Sequence, residues 1–234
     1  MKKKLLSMVA FAAFAMTAQA QVTIIPKVGF TFSNVAMKQE EDGQKSKTGL
    51  VLGAGFNFAL DSDGFFSLQP EILYTQKGYR TETFKNADSK KRDYTLNYLE
   101  VPVLAKISFG SESIKGYVNA GPSLGFGMGG KWAKTDVSSA TTKTEEASIK
   151  FGTEPASYSG KDLYVDNRID FGLQFGGGVG VKLGPGSLIL DLRYGLGMTN
   201  LMKAIPNQAT SDANKTQNRV VAISIGYAIP LGGQ

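Results

Sequence analysis

Residues 219–231 read RVVAISIGYAIPL, and this stretch decides the fold. The odd positions Val221, Ile223, Ile225, Tyr227, Ile229 and Leu231 are large and apolar. The even positions Ala222, Ser224, Gly226 and Ala228 are small. A period of two marks a β-strand with two unlike faces. In a soluble sandwich the face away from the core carries charge to meet water. Here one face is greasy and the other nearly empty. That pattern predicts a lipid-facing surface around a crowded barrel interior.

Seven earlier segments repeat the pattern: residues 22–33, 48–60, 65–80, 93–109, 114–129, 168–183 and 187–199. Residues 48–60, for example, set Leu50, Leu52, Phe56 and Phe58 against Val51, Gly53, Gly55 and Asn57. The connections alternate in length. Asp61-Ser62-Asp63-Gly64, Gly110-Ser111-Glu112-Ser113 and Gly184-Pro185-Gly186 are short turns. Residues 34–47, 81–92, 130–167 and 200–216 are long and polar. The prediction is an all-β fold, an eight-stranded antiparallel up-and-down transmembrane β-barrel of the outer membrane. Its short turns and termini face the periplasm and its long loops face outward. A lipocalin-like barrel also has eight strands, but it would hide the greasy face inside. The fourth segment is out of phase: Leu99, Val101, Val103 and Ile107 share one face, while Tyr94, Leu96 and Tyr98 fall on the other. A bulge near Tyr98, or a strand top rising above the membrane, reconciles them.

The beginning of the chain has the form of a signal peptide: Met1-Lys2-Lys3-Lys4, an apolar run over residues 5–15, and the small-residue site Ala18-Gln19-Ala20. Residues 1–20 are expected to be cleaved, leaving 21–234 as the barrel domain. The full chain has 26 Lys+Arg and 20 Asp+Glu. Without Lys2, Lys3 and Lys4 the balance is 23 against 20, or +3, and no basic stripe marks a nucleic-acid binder. There is no Cys and no His. Thiolate chemistry, disulfides and His-dependent triads are excluded.

The segment Asn97-Tyr98-Leu99-Glu100-Val101-Pro102-Val103-Leu104-Ala105-Lys106 resembles the porin-like, PorT-like outer-membrane β-barrel family of Bacteroidota. Gly121-Pro122 and Asp191-Leu192-Arg193-Tyr194-Gly195-Leu196 followed by Asn200 fit the same resemblance. It implies an outer-membrane barrel, with some members linked to secretion and gliding. Outer-membrane barrels often end on an aromatic residue; this sequence reads Leu231-Gly232-Gly233-Gln234 there.

The interior face carries the polar candidates. Glu71, Glu100, Asp191 and Arg193 are expected at similar mid-barrel depth as an ion-pair cluster filling the lumen. Lys106, Lys115 and Lys182 are expected in the lumen nearer the periplasmic end. Trp132, Tyr158 and Tyr164 are candidates for ligand contact in the longest loop. Tyr79, Tyr94 and Tyr98 read as membrane girdle. Gly125-Phe126-Gly127-Met128-Gly129-Gly130 matches GxGxxG, but a polar loop follows it in place of a helix, so it reads as relief of crowding. Asp61-Ser62-Asp63-Gly64 lacks the further acids of a calcium loop. No catalytic residue, metal or cofactor is expected. The expected partners are outer-membrane lipid and an extracellular or envelope protein, with the barrel a monomer. The function expected is surface interaction or envelope structure. A narrow channel for small solutes is the second reading, and an accessory part of a secretion or gliding apparatus the third.

Overall fold

A computed structural model describes residues 22–37, 43–85, 88–138, 141–153, 160–201 and 216–231. The expected signal peptide, residues 1–20, and the loop candidate Tyr158 lie outside them. Ten strands follow in order: β1 (Val22–Met37), β2 (Gln44–Ala59), β3 (Phe66–Lys85), β4 (Asp88–Gly110), β5 (Ile114–Val137), β6 (Thr142–Phe151), β7 (Leu163–Val165), β8 (Ile169–Leu183), β9 (Gly186–Gly197) and β10 (Thr216–Pro230). Eight of them form a closed antiparallel ring, β1-β2-β3-β4-β5-β8-β9-β10. β10 closes onto β1 from Thr23↔Pro230 to Met37↔Thr216. Closure removes the unpaired strand edge that hydrocarbon cannot satisfy.

The ring is inside out with respect to a soluble fold. Ile225 on β10 is 49% exposed, and Ile72, Val101, Leu124, Phe171 and Leu192 join it in an exposed belt on the outer wall. Such a belt is costly in water and is the expected surface in lipid. Ser224, beside Ile225, is buried, as the alternation requires. The start of β1, the end of β10 and the three short turns gather at one end, where Thr23, Gly64, Glu112, Pro185 and Pro230 surround a common mouth.

The longest polar connection is built differently from a loop. β5 continues to Val137, and β6 returns beside it from Val137↔Thr142 to Gly130↔Ile149. β7 then adds to β6 in parallel. The stretch 81–92 is likewise a hairpin, with β3 and β4 paired as far as Lys85↔Asp88. Polar composition hid β6 and these strand extensions because they stand in water on the outer side, and β7 is only three residues long.

β4 itself never slips. Leu96, Tyr98, Glu100, Pro102, Leu104 and Lys106 all face inward. The extra residue lies on the neighbouring strand, since Asn97 pairs with Gly129 and Tyr98 with Gly127, leaving Met128 unpaired. Gly129 holds φ at +134° there, a conformation that L side chains rarely adopt. What changes along β4 is the environment. Above Leu99 the outer face meets water, and the inner face becomes the apolar one.

Candidate functional site

The barrel interior is the most organised polar region among the described residues. Its centre is Glu71 on β3, which is fully buried. Arg193 on β9 donates from Nη1 to Glu71 Oε2 at 2.6 Å and from Nη2 to Oε1 at 3.3 Å. Lys27 on β1 donates to Oε1 at 2.8 Å. Gln69 Nε2 donates to the same oxygen at 2.6 Å. Arg193 also pairs with Asp191 at 3.1 Å, and the Tyr117 hydroxyl donates to Asp191 at 2.6 Å. Lys106 completes a loop: its Nζ donates to Gln69 Oε1 at 3.2 Å and lies 4.1 Å from the centre of the Tyr117 ring. Five strands, β1, β3, β4, β5 and β9, are thus tied across the lumen. A buried charge is tolerated only when paired and hydrogen-bonded, and here each carboxylate is.

A second cluster lies toward the outer side. Lys77 on β3 pairs with Glu100 at 2.6 Å and with Asp170 on β8 at 3.0 Å. Asn218 on β10 donates to Asp170 at 2.7 Å, and the Lys77 ammonium sits 4.8 Å from the centre of the Tyr98 ring. A cavity of about 40 Å³ lies between the clusters, lined from both sides by Lys27, Arg193, Lys77 and Asp170. It has room for a water or two and none for a solute.

Above this a hydrophobic cap fills the lumen, made of Leu96, Tyr98, Ile149, Phe151, Val165 and Leu201. Phe151 packs edge-on to Tyr98 at 5.6 Å. The Gly125–Gly130 motif is part of this packing. A side chain at Gly127 would collide with the Phe151 ring, and one at Gly125 would press on Tyr98. Gly178 opens space for the Tyr117 ring in the same way.

The predicted candidates divide accordingly. Glu71, Asp191 and Arg193 are brought together. Glu100 is a correction: it belongs to the Lys77–Asp170 cluster. The strand stagger sets Glu100 opposite Leu73, one step further toward the outside than Glu71. Lys106 is buried in the lumen, whereas Lys115 and Lys182 are exposed and line the periplasmic mouth. Their strands have passed the end of the apolar belt there and met water. Trp132 is half-buried against the cap and donates to the Lys161 carbonyl at 3.2 Å, so it packs more than it presents. Tyr164 lies on β7, half-buried. Tyr98 is no girdle residue, being fully buried in the lumen. Tyr79 and Tyr94 stack on each other, with ring centres 4.6 Å apart.

Lys27, Gln69, Lys77, Tyr117, Asp170 and Asn218 belong to the network but were not singled out from sequence. Their inward phase was readable for most of them. Their partners were not, because partnership depends on the register between strands. Among the described residues, no group of three or more His, Cys, Asp or Glu is arranged to hold a metal ion.

Solved outer-membrane proteins resemble this chain in outline. The attachment invasion locus protein Ail of Yersinia pestis is 13% identical, with 89% of this chain and 99% of that one covered and a TM-score of 0.41. Neisserial surface protein A is 14% identical, covering 89% and 97%, with a TM-score of 0.44. OprG of Pseudomonas aeruginosa is 14% identical, covering 92% and 99%, with a TM-score of 0.43. Comparison with curated proteins gives no match. The family model described as outer membrane protein beta-barrel domain matches residues 17–203. With its lipid-facing belt and closed eight-stranded ring, the chain belongs to that family and resides in the outer membrane.

Proposed function

We propose that this protein is a non-conducting, non-enzymatic barrel that holds a rigid extracellular sheet for contact with a protein partner. One observation carries the reading: β3, β4, β5 and β6 continue as a four-stranded sheet beyond the apolar belt. β4 has 23 residues and β5 has 24, whereas about 9–11 suffice to cross a bilayer at a tilt. The extension is anchored on the hydrophobic cap, so it is built as a fixed platform. Phe84 at its margin is 66% exposed, an apolar anchor of the kind contact surfaces use. The absence of His and Cys supports a non-catalytic role. We extend the proposal to the porin-like, PorT-like barrels of Bacteroidota, on the Asn97–Lys106 motif, and to a monomeric barrel.

Conduction of small solutes is the competing function, and the sealed cross-section argues against it. An accessory role in secretion or gliding is a special case of partner contact. The test replaces residues 131–166 with a short Gly-Ser linker. The variant is expected to keep heat-modifiable gel migration and to lose adhesion or partner capture. Unchanged capture overturns the platform reading. Discrete conductance steps from the unaltered barrel in a planar bilayer restore the channel.

A further inference from the structure

Among the described residues, the eight buried charges of the lumen cancel in number but not in place. Lys27, Lys77, Lys106 and Arg193 face Glu71, Glu100, Asp170 and Asp191. The outer cluster holds one of the cations and two of the acids; the inner one holds three cations and two acids. The positive excess therefore lies toward the periplasm, at Lys106. That side chain is 8% exposed. Its Nζ bonds the neutral Gln69 and faces the Tyr117 ring, with no carboxylate in ion-pair reach among the described residues. A buried ammonium without a direct ion-pair partner is costly, and a diffusible anion is one way to supply it.

Lys106 also lines a cavity of about 490 Å³ that opens between the three short turns. This is within the range of small-molecule sites, about 300–1,000 Å³. Lys115 and Lys182 share its wall, with Glu112 the one acid there among the described residues. Three cations and one acid leave the wall at +2. Asn57 and Ser108 add neutral hydrogen-bonding groups. We propose that the periplasmic mouth binds a small oxyanion, a phosphate or carboxylate group of a periplasmic solute, with Lys106 as its inner cation. The ammonium serves as a point charge for the oxyanion, and Lys115 and Lys182 draw it in from solution. The plug above blocks onward passage, so the site captures its ligand without transporting it.

The full barrel, folded in maltoside micelles, is titrated calorimetrically with inorganic phosphate and, separately, with succinate. Saturable binding near one per chain is expected for at least one probe, and the better probe identifies the ligand class. Lys106→Gln is expected to weaken it at least tenfold. The paired change Lys115→Gln and Lys182→Gln is expected to weaken it several-fold and to flatten its salt dependence. Lys143→Gln on β6 is the control and leaves binding unchanged. Unsaturable heats with both probes, or equal affinity in every variant, overturn the proposal. If Lys106→Gln fails to fold, the rim pair decides alone.

Discussion

Along β4, two stretches of one strand solve opposite problems. Below Leu99 the outer face carries Val101, Val103 and Ile107, and the inner face carries Glu100 and Lys106. Above it the outer face carries Asp93 and Lys91, joined to Arg80 and Lys47, while the inner face carries Leu96 and Tyr98. The backbone alternation never breaks between them. Period fixes only which residues share a face. The surrounding solvent decides which face is apolar. At the membrane the exterior is oil and charge goes inside; above it the exterior is water and the rule returns to that of a soluble fold.

The largest effect is expected at Glu71. Glu71→Ala leaves Arg193 and Lys27 buried without their shared acid, which costs about 3–5 kcal/mol. Urea titration in detergent micelles, followed by gel migration, is expected to show the loss across the whole barrel. Phe151→Ala acts on the other region, removing an aromatic from the cap at about 3 kcal/mol or more. Its effect is expected to stay local: faster proteolysis of the β5–β6 hairpin with barrel migration intact. Global loss from both would mean that the two regions are one cooperative unit.

The third test compares two exposed apolar residues. Ile225→Lys places a charge on the lipid face, at about 2–4 kcal/mol. Phe84→Lys, in water, is expected to stay within about 0.5 kcal/mol. Equal outcomes would show that the belt does not face lipid. The smallest effect concerns Asp93. Partial burial pushes its carboxyl up, but hydrogen bonds from Arg80 and Lys47, together with their charges, prevail and hold it below its ordinary value of 3.8. A depressed folded value means that the carboxylate stabilises the outer sheet above that ordinary value. The contribution is lost as pH falls through the lower folded value. Amide protection in the β3–β4 hairpin, taken relative to the intrinsic exchange rate at each pH, is expected to fall below about pH 4, and Asp93→Asn is expected to abolish that fall. A pH dependence that survives the substitution would assign it to other groups.

Much of the ring was legible because Ile223, Ile225 and their counterparts report a local, two-residue rule. The out-of-phase run Tyr94, Leu96 and Tyr98 carried the signature of the environmental reversal, and of its two explanations the raised strand top accounts for it. β6 was missed because Lys143, Glu145 and Lys150 stand in water on both sides of a thin sheet, where composition resembles a loop, and β7 because Leu163, Tyr164 and Val165 are too few to show a period. The lumen could be read as to membership but not as to pairing. Glu100 and Glu71 differ by one step of stagger, which is a property of the closed ring and of no single strand.

Glu71 and Arg193 stand 122 residues apart in the chain. Their bond forms only when β9 has been set against the arc that begins at β1, and until then the Glu71 charge must stay hydrated in an open trough. Drying of the interior and closing of the seam are therefore one event. A barrel threaded one residue out of step would turn its charged row into the oil and its oily row into the trough. The central acid thus keeps time as well as place: it penalises a hoop closed early or wrongly, and rewards the one in which all five contributing strands have arrived.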